Sequence, residues 1–259
     1  MKVAITMPVY ASDPLHLEFT ENTINSIQTK HNYELIVVDN YCTPELQSRM
    51  DYLKPIKNPK GNCVAAAWNL GIKQGFRHGA DYVIIANNDL IFHKDCIDNL
   101  VAFAGKYAEK FVLWSAVTHS NLRNLQETEL EDTWDEHPGF SLFMVSPRTV
   151  EILQQVEKDT AEPYPGYLDE NYEVAYFEDS DFHQRILRAG QKASKTAMAK
   201  YYHFHSRTIS IDSSIRYAND KSYEKNRAYY QSKWGYDTHS KAPSNEQRIQ
   251  WGHKNAFNK

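Results

Sequence analysis

The sequence predicts an α/β domain built on a parallel sheet covered by helices on both faces. Three observations carry that expectation. Short apolar runs alternate with segments of helical period through residues 1–120. The runs are continuous rather than alternating, as expected for strands buried on both faces. Three of them also end in polar breaks, at Pro8-Val9-Tyr10, Asp39-Asn40 and Asn87-Asn88-Asp89. Ligands in such sheets sit at the carboxyl ends of the strands.

The elements follow in order. Val3–Met7 reads as a strand ended by Pro8, and Leu17, Ile24 and Ile27 mark one face of a helix running to about Lys30. Leu35–Val38 is a β-branched strand broken by Asp39-Asn40, and Pro44 opens a helix through Met50. Pro55-Ile56-Lys57 is a short strand candidate, and Asn62–Phe76 a helix carrying Val64, Ala67, Trp68 and Ile72. Tyr82–Ala86 is the strongest strand signal, followed by a helix over Cys96–Phe103 and a strand over Phe111–Val117. Beyond it, Asn121–His137 is polar and without period, which predicts a long surface loop. Phe140–Val145 is a strand, and Ser146-Pro147 is an N-cap with proline at the first helical position, leading into Val150–Val156. Ser180–Ala189 is a helix closed by Gly190, and the polar tail from Ser213 is spaced with aromatics.

Composition removes several classes. The 259 residues suit one large domain with a short appendage. The net charge of −4 gives no overall basic surface for nucleic acid. Three cysteines, Cys42, Cys63 and Cys96, form no CxxC pair and imply no disulfide framework, which suits a reducing, cytoplasmic setting. No run approaches the roughly 18 apolar residues of a membrane span, and residues 1–10 lack a full signal-peptide pattern. Phosphate-loop, GxG, HExxH and GxSxG motifs are absent.

Four stretches can carry chemistry. Asp89, after the strongest strand, can hold a hard divalent cation against a diphosphate, or Asn87-Asn88-Asp89 can be a simple turn. Asp39 can accept a ring N–H of a base or ribose hydroxyls, or cap a helix. Glu178, Asp179 and Asp181 open a helix whose dipole favours acids, and the same dipole keeps Asp179 ionised as a general base. His203 and His205 alternate along a strand and can face one metal site, or be structural.

Taken together and in order, these pieces resemble the family-2 glycosyltransferases with the GT-A fold, over residues 1–210 and a tail like that of rhamnosyltransferase-like bacterial and phage members. The matching residues are Thr6-Met7-Pro8-Val9-Tyr10, then Ile36-Val37-Val38-Asp39-Asn40, then Asn62, Ala66, Asn69, Gly71 and Ile72. Asn87-Asn88-Asp89-Leu90 follows, then Gly166-Tyr167-Leu168-Asp169-Glu170. Glu178-Asp179-Ser180-Asp181-Phe182 with Arg185 and Gly190, and finally His203, close the set. The departure is Asn87, where the usual metal motif begins with a charged aspartate.

The resemblance implies a single Rossmann-like mixed sheet flanked by helices, with a helical C-terminal tail. It divides the chain into a glycosyltransferase domain, 1–212, and the tail, 213–259. Residues 1–120 form the nucleotide-sugar half and 121–212 the acceptor half. It implies an inverting transfer from a nucleoside-diphosphate-sugar to a hydroxyl, with Mn²⁺ or Mg²⁺ at Asp89 and His203. His203 fits the spacing better than His205. Pro8, Tyr10, Asp39, Asn62, Asn69, Asn87 and Asn88 are assigned to the donor. Asp179 is the general base, with Glu178 its competitor, while Asp181 and Arg185, four apart, pair to support the helix. Asp39 favours a pyrimidine base and leaves guanine open.

The expected acceptor is a saccharide. A lipid-linked glycan would be met at the inner face of the membrane. Transfer to a hydroxymethylated DNA base is the alternative, weakened by the acidic charge. A nucleotide-sugar or glycan-binding protein on a degenerate scaffold is kept open by Asn87. A nucleotidyltransferase is disfavoured, because Met7–Asp13 has neither a glycine-rich run nor a basic residue. Most of the 17 tyrosines lie beyond residue 160, in the acceptor half and tail, where stacking on sugar rings competes with ordinary packing.

Overall fold

The computed structural model describes residues 1–205 and 211–236. Among them, nine strands form one mixed sheet: β1 (Lys2–Ala11), β2 (Asn32–Cys42), β3 (Ile56–Lys57), β4 (Tyr82–Ala86), β5 (Leu90–Phe92), β6 (Leu113–His119), β7 (Trp134–Asp135), β8 (Leu142–Val145) and β9 (Ala193–His203). Their order is β3-β2-β1-β4-β8-β6-β9-β5, with β7 also on β9. β1, β2, β3 and β4 are mutually parallel, as the alternating pattern predicts. β8 enters antiparallel between β4 and β6, and β5 and β7 are antiparallel to β9. The helices are α1 (Pro14–Asn25), α2 (Pro44–Met50), α3 (Val64–Arg77), α4 (Cys96–Lys106), α5 (Pro147–Glu157), α6 (Glu178–Arg188) and α7 (Ser213–Trp234).

Both faces of the sheet are covered. Trp68 and Ile72 of α3, Leu153 of α5 and Phe182 and Ile186 of α6 pack on one face. Ile97, Leu100 and Phe103 of α4 pack with Phe111 and Trp114 on the other. Each such buried side chain is worth ~1.5–3 kcal/mol relative to exposure. α3 lies close on β1 because Gly71 faces Thr6: a Cβ at Gly71 would collide with the Thr6 side chain.

Several boundaries differ from the sequence expectation. β1 runs through Pro8, because β4 pairs it only as far as Thr6 and a proline is tolerated where a strand has one remaining partner. β2 likewise continues through Asp39-Asn40. α1 ends at Asn25, so Ile27 lies outside it. Residues 121–137 are not one loop: a 3₁₀ turn spans Leu122–Glu127, and β7 pairs with Lys195-Thr196. β5 carries no clear sequence signal, since three residues are too few for a period.

α7 packs on its own chain. Tyr230, Trp234 and Tyr236 bury against Tyr172 and Phe177, which lie just before α6. Much of the tyrosine excess is spent there. Residues 206–210 and 237–259 lie outside the described residues, so the helical tail expected over 213–259 is described only through 236.

Candidate active site

One cleft of about 280 Å³ opens at the carboxyl ends of β1, β2 and β4. Pro8 and Tyr10 reach it from β1, and Asn40 from β2. Asn62, Val64 and Trp68 come from the start of α3 and the loop before it. Asn87, Asn88 and Asp89 follow β4, and Val174, Ala175, Tyr176, Glu178 and Asp179 complete the opposite wall with His203. The cleft therefore collects residues from both halves of the chain.

The turn after β4 is gripped by α1. Thr23 Oγ1 accepts from the Leu90 N–H at 2.9 Å and donates toward the carbonyls of Asn88 and Leu90, and Asn88 Nδ2 donates to Thr20 Oγ1 at 2.9 Å. The antiparallel register pairs Leu90 with His203. The Phe204 N–H donates to the Asp89 carbonyl at 3.0 Å. In consequence His203 Nε2 lies 3.0 Å from Asp89 Oδ1. His203 Nδ1 lies 3.2 Å from Ser141 Oγ. With Nδ1–H donating to that hydroxyl, Nε2 keeps its lone pair for a cation. A carboxylate and an imidazole suit Mn²⁺ or a similar divalent ion. His205 has left the strand at φ 54° and is exposed, its ring 4.6 Å from that of His203.

Glu178 and Asp179 open α6. Burial pushes the Glu178 carboxyl well up, and the charge of Asp179 pushes it further. Glu178 Oε2 is buried without a hydrogen-bond partner. Burial also raises Asp179, against hydrogen bonds from Ser180, whose N–H donates at 2.6 Å. Raised carboxyls lining a cleft are suited to general acid–base work. Trp68 Nε1–H, on the same cleft lining, is likewise buried and unpartnered.

Other predicted residues sit elsewhere. Asp39 lies in β2 opposite Val9, 4% exposed, with Oδ1 unpartnered. Asn69 is away from the cleft: its Nδ2 donates to the Leu168 carbonyl at 2.8 Å and Glu170 at 2.9 Å, and its Oδ1 accepts from the Leu168 N–H at 2.9 Å. That gives Asn69 a structural role, tying α3 to the 168–170 loop. Asp181 and Arg185 do face each other, at 3.7 Å, but their tighter partners are remote. Arg185 donates to both oxygens of Glu157, at 2.7 and 2.6 Å. Asp181 accepts from Trp234 Nε1 at 2.8 Å and pairs with Lys233 at 2.8 Å. Helix spacing predicts the first pair and is silent on the rest.

Glu162, Asp169 and Asp181 also cluster closely enough to hold a cation. The Lys233 ammonium of α7 already sits among them, 2.8 Å from Glu162, 2.9 Å from Asp169 and 2.8 Å from Asp181. This cluster is a buried ion-pair network, separate from the residues lining the cleft.

The description "Glycosyl transferase family 2" matches residues 4–152. The chain belongs to glycosyl transferase family 2. Its fold is similar to S. aureus TarS 1-349, with a TM-score of 0.56 and 14% identity over 99% of this chain and 72% of that one. A longer S. aureus TarS structure matches at a TM-score of 0.58 and 14% identity, and GalNAc-T7 with UDP, GalNAc and Mn²⁺ at 0.58 and 9%. These cover 100% and 98% of the family-2 chain, which spans 44% and 55% of theirs. At such identities the likeness concerns the GT-A fold alone. No curated protein sequence matches. Among the described residues, no helix of this family-2 glycosyltransferase is long and apolar enough to cross a membrane.

Proposed function

We propose that the chain transfers a sugar, with inversion, from a nucleoside-diphosphate-sugar to a hydroxyl of a saccharide acceptor. The observation that carries the reading is that a metal-competent pair, Asp89 and His203, and a raised carboxyl pair, Glu178 and Asp179, line one cleft.

Asp89 and His203 are the residues that would hold Mn²⁺ or Mg²⁺. Bound there, the ion supplies Lewis-acid neutralisation of the leaving diphosphate. Asn87 could offer hydrogen bonds but no charge, so among this chain's residues Asp89 and His203 would have to hold the cation. Asp39 lies in β2 one residue before the cleft-lining Asn40, and its unpartnered Oδ1 is an acceptor of the kind a base ring N–H needs, which favours a pyrimidine. Pro8, Tyr10, Asn62 and Asn88 line the same cleft and shape the donor side.

Asp179 takes the acceptor proton as the hydroxyl oxygen attacks the anomeric carbon and the bond to the diphosphate breaks. Its raised pKa brings the base nearer the working pH, where general-base help is greatest. The exposed Tyr176 on the cleft wall offers a face for a sugar ring. A lipid-linked acceptor would be met at a membrane surface.

A thermal-shift screen of UDP, dTDP and GDP and their sugars, with and without Mn²⁺, tests the donor side. Ligand bound to the native state raises stability as RT ln(1 + [L]/Kd). One pyrimidine diphosphate series should stabilise the chain, and more so with Mn²⁺. No shift from any nucleotide would overturn the reading.

A further inference from the structure

The backbone strain of the site is concentrated just before α6. Val174, Tyr176 and Phe177 have φ of 57°, 76° and 75°. Left-handed backbone is costly for a non-glycine residue, and β-branched residues are rarest there. Such conformations persist only where surrounding contacts over-determine them.

Those contacts come largely from α7. The Asn226 side chain, 2% exposed, donates from Nδ2 to the carbonyls of Glu173 at 2.8 Å, Ala175 at 3.0 Å and Tyr176 at 3.2 Å. Its Oδ1 accepts from the Glu173 N–H at 2.9 Å. From the other side, the Val64 N–H of α3 donates to the Val174 carbonyl at 2.9 Å. Val174, Ala175 and Tyr176 line the cleft, and Glu178 and Asp179 follow directly.

We propose that Asn226 is a positioning residue for the transfer reaction: its one amide holds the strained 173–176 turn that aims Glu178 and Asp179 into the cleft. The inference rests on the transferase reading above. An amide is suited to the task because it offers donors and an acceptor in one plane. Aspartate would turn a carboxylate toward three carbonyls, and an apolar residue would leave all four backbone groups unpaired. Small displacements of a reacting group are costly, up to ~10²-fold for 1 Å.

The test uses the full chain carrying Asn226→Ala, the milder Asn226→Ser, which keeps one hydroxyl, or Trp234→Phe. The last removes, at the C-terminal end of α7, the Trp234 Nε1 bond to Asp181 of α6, and controls for general loosening of the α7 packing. Release of nucleoside diphosphate is followed with UDP-, dTDP- and GDP-sugars, alongside amide hydrogen exchange. In Asn226→Ala, kcat should fall by ~10²-fold with donor KM unchanged, with a smaller fall in Asn226→Ser. Exchange should rise at 173–180 and stay unchanged in β1 and β4. A kcat loss no larger than that of Trp234→Phe at matched stability, or unchanged exchange at 173–180, overturns the proposal. A wild-type chain that turns over no nucleotide-sugar overturns the transferase reading instead. The exchange arm then decides by itself whether Asn226 fixes the turn.

Discussion

His203 Nε2 lies 3.0 Å from Asp89 Oδ1, although the two come from opposite halves of the chain. The pairing of β5 with β9 makes the contact, since it sets Leu90 directly against His203. A three-residue strand thus joins the two halves at the point where the diphosphate is proposed to bind.

Asp89→Ala and His203→Ala should each reduce stabilisation by nucleoside diphosphate in Mn²⁺. EDTA should bring the wild type down to the level of the variants, while leaving the variants themselves nearly unaffected. The measurement is a melting temperature with UDP and dTDP at fixed concentration. Equal shifts with and without EDTA in the wild type would remove Asp89 and His203 from a metal role.

The rate should depend on pH through Asp179. Its raised carboxyl must be ionised to act, so kcat should rise with pH along a limb above the ordinary aspartate value of about 3.9. Stability runs the other way. A carboxyl whose pKa is higher folded than unfolded contributes stability that is present below the unfolded pKa and lost as pH rises through the folded one. Glu178 is raised well up by burial, so the wild type should lose stability relative to Glu178→Gln as pH rises above about 4. Paired melting curves across pH check the sign, and a constant difference would contradict it.

Lys233→Met should destabilise the chain by ~3–5 kcal/mol, because Glu162, Asp169 and Asp181 would be left as buried acids short of a cation. At roughly 2–4 °C per kcal/mol for a chain of this size, the fall in Tm is readily measured. An unchanged Tm would mean that α7 is not anchored through this ammonium.

The parts legible in the sequence are those set by local pattern. Tyr82–Ala86 is readable as a strand and Pro44–Met50 as a helix, to the residue, because continuous apolar β-branching and a proline at the first helical turn act within a few positions. The ordered polar breaks likewise point to the cleft, and nine of the expected residues, Pro8, Tyr10, Asn62, Asn87, Asn88, Asp89, Glu178, Asp179 and His203, line it. What the sequence hides is long-range. Pro8 looks like a strand end because its lost donor counts only if β4 still flanks it, and β4 stops at Thr6. Asn69 looks like a ligand residue by motif, yet its amide is used by the 168–170 loop. Asn226 and Lys233 sit in a polar tail with no period of their own. Their partners, the 173–176 turn and the buried acids, are defined only once α7 docks.

Asp179→Asn gives the most direct test of the central claim. Release of nucleoside diphosphate from the preferred nucleotide-sugar should drop ~10²–10⁴-fold. The Mn²⁺-dependent thermal shift with the same nucleotide should be nearly that of the wild type. Near-normal turnover by Asp179→Asn would contradict the account.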